Sequence, residues 1–216
     1  MRPQGSEWPL VALLTLSVLV PVFSRGSPKV RHEPEGALLI LPGRSVGPLK
    51  LGDTRDRVGE LFPYKKGVDQ EFEQPGCGTE YLWVDLKNPR GGNVFIRLKE
   101  GRVFQIESAT SRYRTVEGLS VYSSPKQIRK HYKNLKAYAL LNKFSEALGG
   151  GPLIFWVDYS RGIAFAFAAE RHSGKRYLYE IVVFKAASEF CPMGTATSSP
   201  DWQELKPYSL ELPGRD

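Results

Sequence analysis

The stretch GPLKLGDTRDRVGELF (residues 47–62) and the stretch EGLSVYSSPKQIRKHY (residues 117–132) decide the expected fold, because the second repeats the pattern of the first about seventy positions later. Leu49 aligns with Leu119, Leu51 with Val121, Thr54 with Ser124, Val58 with Ile128, and Phe62 with Tyr132. In each, an apolar pair at i and i+2 reads as a short strand, and a hydroxyl residue then stands where a helix N-cap belongs. The second start is complete: Ser124 as cap, Pro125 at the first helical position, Gln127 closing a capping box. In the first, Thr54 caps and Asp56 puts negative charge in the first turn.

Working outward, each expected helix is followed by three strand-like runs. After the first these are residues 81–86, 94–99 and 102–108, with turns at 88–92 and at Glu100-Gly101. After the second they are 153–159, 163–169 and 177–185, with turns at 160–162 and 172–174. Glycine-marked turns between short β-branched and aromatic runs are hairpin signals. The tripeptide Trp-Val-Asp also occurs twice, ending at Asp85 and at Asp158. The spacing therefore predicts an α+β chain of two tandem units, each a helix plus a three-stranded antiparallel meander. A sheet that small is marginal alone, so the two units should pack together or share a sheet.

These strings resemble the module of the small outer-membrane-assembly lipoproteins, the BamE (SmpA/OmlA) family, in which a short glycine-and-threonine segment enters a helical region packed on a three-stranded sheet. The doubled arrangement resembles the β-lactamase-inhibitor-like fold. The resemblance implies an envelope binding or assembly role, or a secreted enzyme inhibitor. The chain lacks the lipidated cysteine of that family, so tethering of that kind is not implied.

The domain limits follow. Residues 1–24 read as a signal peptide: Arg2 precedes an uncharged stretch with an apolar core from Leu10 to Val20, too short and too interrupted by Pro9 and Pro21 for a spanning helix. Cleavage before Arg25 and retention as an uncleaved anchor both stay open. Residues 25–46 read as a linker, in which residues 37–41 can add an edge strand. The units occupy 47–111 and 112–187, and residues 188–216 read as an extended or disordered tail with Trp202 as a docking point.

Export frames the two cysteines, Cys77 and Cys191, whose spacing is far too wide for a metal knuckle. A bridge between them and two unpaired thiols are both compatible with the sequence. Catalysis finds no support. His32, His131 and His172 lie apart, no metal spacing occurs, and no phosphate loop or dinucleotide fingerprint is present. Asp85 and Asp158 hold equivalent places, yet strand alternation next to a turn reads them as solvated. No cofactor or metal is implied.

Charge is more informative. The net charge of the 216 residues is +7. Between Arg112 and Lys143 stand eight basic residues against Glu117 alone, which accounts for that excess. Arg112, Arg114, Lys126, Arg129, Lys130, Lys133 and Lys136 form the candidate anion- or partner-binding patch. Ile128, Tyr132, Leu135 and Ala139 recur at helical spacing as its core face. The same residues also fit a solvated helix surface. A functional patch would dock a protein or an envelope component such as an anionic lipid or glycan, and export makes nucleic acid the weakest partner. The strand aromatics Tyr81, Trp83, Phe95, Phe104, Phe155, Trp156, Phe165, Phe167, Tyr177 and Tyr179 are expected mostly in the core, with a subset free on an open sheet face. The functional expectation is a non-enzymatic extracytoplasmic module, periplasmic or secreted, working through that sheet face and the basic helix.

Overall fold

Two short helices begin where their caps were expected. In the computed structural model, which describes residues 38–66, 68–84, 92–141 and 151–210, Thr54 Oγ1 accepts from the Arg57 N–H at 3.3 Å. Ser124 Oγ likewise accepts from the Gln127 N–H at 3.3 Å, and Gln127 Oε1 takes the Ser124 N–H at 2.8 Å. Each cap satisfies a donor the first turn leaves orphaned.

The elements in chain order are β1 (Leu39–Leu41), β2 (Ser45–Val46), β3 (Leu49–Lys50), α1 (Arg55–Leu61), β4 (Gln70–Gln74), β5 (Gly78–Val84), β6 (Asn93–Lys99) and β7 (Arg102–Ser108). There follow β8 (Arg114–Thr115), α2 (Pro125–His131), β9 (Lys136–Leu140), β10 (Leu153–Asp158), β11 (Ile163–Ala169), β12 (Arg176–Phe184), a 3-10 turn (Pro192–Gly194) and β13 (Trp202–Leu205). Among the described residues, nine strands form one antiparallel sheet in the order β13-β9-β10-β11-β12-β7-β6-β5-β4, and a four-stranded sheet runs β3-β2-β1-β8. All these elements belong to one compact unit, Glu33–Asp216.

This architecture corrects the expectation of two helix-plus-three-strand units, and with it the BamE-like and β-lactamase-inhibitor-like reading. β7 pairs with β12, from Ile181 opposite Ser108 to Phe184 opposite Gln105, so the predicted strand groups share one sheet but are not separate units within it. β4, β9 and β13 lengthen the sheet beyond either predicted meander. The helices are only seven residues each.

Three local readings change for identifiable reasons. α2 ends at Tyr132, which has φ −119° and ψ 106°. Leu135 and Ala139, read as its continuation, instead belong to the strand segment that follows: Leu135 is buried ahead of β9, and within it Ala137 and Ala139 face one core while Tyr138 and Leu140 face the other. The strand expected across Leu119 and Val121 does not form, although both side chains are buried. β1 is no edge strand, since it lies between β2 and β8. The expected signal, most of the linker, Asp85, Lys143 and most of the turn at 88–92 lie outside the described residues. No helix among the described residues is long and apolar enough to cross a membrane.

Both faces of the large sheet are covered. On one, Trp156, Phe165, Ile181 and Val183 pack with Val58 and Phe62 of the α1 region, Ile128 and Tyr132 of the α2 region, and Ile40 and Leu49 of the small sheet. On the other, Phe155, Val157, Val182 and Phe184 pack with Phe190 and Trp202 from the stretch after β12. Phe184 and Phe190 stack at 4.3 Å. That stretch, expected to be extended, docks through Trp202 in β13, whose ring meets Phe155 at 5.1 Å.

Candidate functional site: a cationic helix face and a buried charge cluster

In α2 the core-facing residue is Ile128, fully buried. At 100° per residue, Lys126 and Lys130 fall on the opposite side, and Lys133 follows just past the helix end. All three are exposed, and no carboxylate pairs with them among the described residues. Glu117, the one acid in the basic stretch, is turned inward: it accepts from Arg161 at 3.0 Å and from the Tyr132 hydroxyl at 3.3 Å. The positive face is therefore left uncompensated.

The remaining residues of the expected patch are dispersed. Arg129 is exposed but occupied, donating to the Tyr208 carbonyl at 2.7 Å and lying 5.0 Å from the centroids of both Trp156 and Tyr208. It clamps the segment after β13, where the Trp156 indole N–H donates to the Ser209 carbonyl at 2.8 Å. Lys136 opens β9 on the sheet face away from α2. Arg114 sits in β8, and half-buried Arg112 lies 5.9 Å from the Tyr113 ring centroid. Thus only Lys126, Lys130 and Lys133 stay together as a free surface.

Cys77 and Cys191 form a disulfide, with Cα atoms 5.8 Å apart. It joins the β4–β5 turn to the stretch covering the second sheet face. Nearby, the Cys191 N–H donates to Gln105 Oε1 at 2.6 Å.

Gln105 belongs to a charge cluster that sequence reasoning missed. Glu80 on β5, Arg97 on β6, Glu107 on β7 and Glu180 on β12 share one sheet face and are all at most 3% exposed. Arg97 Nε reaches Glu107 at 2.5 Å, its Nη2 pairs with Glu80, and the Gln105 amide donates to Glu107 at 2.6 Å. Burial opposes the guanidinium charge, but Glu107 and Glu80 hold Arg97 above its usual range. Burial and then the charge of Glu107 push Glu80 up to about 7, against the pull of Arg97. Burial and Glu107 push Glu180 well above the carboxylate range. No donor reaches either oxygen of Glu180. Burial beside Glu107 favours the protonated form of Glu180, which removes the conflict between two carboxylates. A usable signal existed: Glu180 and Arg97 interrupt otherwise apolar or aromatic strands.

Other expectations resolve one by one. Asp158 is not solvated but 4% exposed, and it caps the β10–β11 turn by accepting from the Ser160 hydroxyl at 2.6 Å and the Arg161 N–H at 3.1 Å. His131 and His172 are both exposed. None of the ten strand aromatics named from sequence is exposed, and the exposed strand aromatic among the described residues is Phe72 of β4, which was not among them.

No family model matches this sequence, and no curated protein matches it. Among solved structures, a cysteine-rich secretory protein from Staphylococcus aureus subsp. aureus Mu50 is similar at 14% identity and a TM-score of 0.41, over 69% of this chain and 49% of that one. The chain thus spans about half the length of that protein.

Proposed function

We propose that this chain is a non-enzymatic binding module of an extracytoplasmic space, recognising an anionic envelope component through the outer face of α2. The observation that carries the reading is the set Lys126, Lys130 and Lys133, exposed together without a carboxylate partner among the described residues. A structural disulfide supports the compartment, since such bonds persist where the medium is oxidising. It also supports a role in binding rather than chemistry: both cysteines are committed to the bond, and the clustered carboxyl groups are closed off from solvent. No observation favours the inhibitor alternative, which needs an open sheet face.

The test is cosedimentation of the purified chain with phosphatidylglycerol vesicles, phosphatidylcholine vesicles and dextran sulfate beads at low and high salt. Binding to an anionic surface is expected, weakening as salt rises. Each basic residue near such a surface contributes about 1 kcal/mol, so the triple variant Lys126→Glu/Lys130→Glu/Lys133→Glu should bind at least about a hundredfold more weakly. Equal retention of wild type and triple variant, insensitive to salt, refutes the reading.

A further inference from the structure

The β11–β12 turn and the loop leading into α2 meet at an open cleft of about 680 Å³, lined by Tyr122, Tyr177 and the turn residues Glu170, Arg171, His172 and Lys175. An exposed ring, a left-handed backbone that presents it and a basic turn converge there. Tyr122 is 56% exposed, although a ring of that size usually finds cover. Its φ of 72° lies in the left-handed region, disfavoured for a residue carrying a Cβ. The strained backbone is fixed by the Tyr122 N–H donating to the Leu178 carbonyl at 2.9 Å and the Ser123 N–H to the Ser120 carbonyl at 3.0 Å. The effect is to hold the ring outward against Tyr177, with centroids 6.2 Å apart and planes at 23°.

Around this ring pair the turn is cationic. Arg171 and Lys175 are exposed and have no ion-pair partner among the described residues, and His172 beside them is exposed too. The nearby acid, Glu170, accepts from the Ser173 hydroxyl at 2.5 Å within the turn itself. An open aromatic face beside a turn with two cations and one acid matches a ring that has a weakly polar C–H face and carries acidic substituents.

We propose that this cleft binds an acidic polysaccharide, with the C–H face of a sugar ring on Tyr122 and the sugar's carboxylate or sulfate groups on Arg171 and Lys175. Single-stranded nucleic acid fits less well, because it is tracked by successive stacking platforms and the cleft offers one exposed ring. The site uses the Tyr122 ring and the β11–β12 turn, not the α2 lysines, and does not depend on that reading.

The test is calorimetric titration of the full chain with octagalacturonate, and with maltooctaose, polyphosphate and an eight-nucleotide thymidine strand as competitors in kind. Octagalacturonate is expected to bind most tightly. Tyr122→Gly suits the backbone conformation and should fold, yet weaken binding at least about tenfold, while Tyr122→Phe stays within about threefold. Arg171→Glu/Lys175→Glu should lose at least about tenfold and most of the salt dependence. Lys126→Glu/Lys130→Glu/Lys133→Glu should keep the affinity for octagalacturonate. The proposal is overturned if maltooctaose, polyphosphate or the nucleotide strand binds as tightly, if Tyr122→Gly binds normally, or if the α2 variant alone abolishes binding.

Discussion

Raising the pH through neutrality should destabilise this protein, because its interior holds protons that the unfolded chain releases. The perturbation is a shift from about pH 5 to about pH 8, and Glu80 sets the smallest loss expected. Its carboxyl titrates at 4.5 when solvated and at about 7 in the fold, where burial and the charge of Glu107 outweigh Arg97. Below 4.5 both states are protonated and the contribution is whole. Between the two values the folded state keeps a proton the unfolded state has lost, so stability falls as pH rises. Above about 7 the loss is complete. The separation corresponds to about 3 kcal/mol, which for a chain of this size is roughly 6–12 °C in Tm. Glu180, raised by burial and Glu107, adds loss of the same sign over the same window and beyond it. Acid opposes this: burial pushes against the charge of Asp69, but the Val84 N–H and Lys65 hold it below its solvated value. Burial opposes Glu117 too, while Thr115 and Arg161 hold it down. Those two contributions are present above the unfolded carboxylate values and vanish as pH drops through the folded ones. Urea unfolding at about pH 5, 6.5 and 8 reads the slope, and Glu80→Gln should reduce it to the part that Glu180 carries. Stability that is constant or rising from pH 5 to 8, or a full slope in Glu80→Gln, refutes the reasoning.

Three further outcomes follow from single features. The disulfide spans 114 positions, so Cys77→Ala/Cys191→Ala should lose about 5 kcal/mol in urea unfolding, and adding reductant to wild type should lower its midpoint comparably. Gly162 has φ 68°, and an added Cβ would fall 2.2 Å from the Phe184 carbonyl oxygen, so Gly162→Ala should cost at least about 2 kcal/mol by the same assay. Truncation after Pro200 removes β13 and the contacts of Trp202 and Tyr208, baring the edge of β9 and the rings of Phe155 and Trp156. Size-exclusion chromatography should then show self-association where wild type elutes as a single species.

What the sequence disclosed depended on whether a residue's local pattern and its tertiary environment agreed. The caps Thr54 and Ser124 were legible because capping is local. Strands β6, β7, β10, β11 and β12 were legible because glycine turns frame apolar runs. β4 was hidden because four of its five residues, Gln70 to Glu73, are exposed, leaving no apolar face to read. β9 was hidden because Leu135 and Ala139 satisfy a helical period from Ile128 as well as a strand period through Ala137, and only packing decides between them. The pairing of β7 with β12 joins segments more than seventy positions apart and leaves no local trace. At the surface, counting charges found the lysines of α2 but could not see that Arg129 serves the Tyr208 segment. Tyr122 carried no signal, because its outward ring follows from a backbone conformation fixed by β12.

The buried charges answer a difficulty that the apolar residues create. Register in a sheet is ordinarily set by one apolar face, since a one-residue slip turns every side chain over. Here β12 offers Ile181 and Val183 to one core and Val182 and Phe184 to the other, so an apolar pattern alone discriminates weakly between registers. Glu180 lies two residues before Val182, which pairs with Glu107. A slip of one residue would swing Glu180 away from Glu107 and Arg97 into the face built around Trp156 and Phe165, leaving an acid buried without a partner. Such a loss costs a few kcal/mol, whereas replacing the whole cluster by apolar groups need not cost stability at all. The cluster is thus a poor source of stability and a good source of register, and it sits at the β7–β12 junction, where the two halves of the large sheet must find each other.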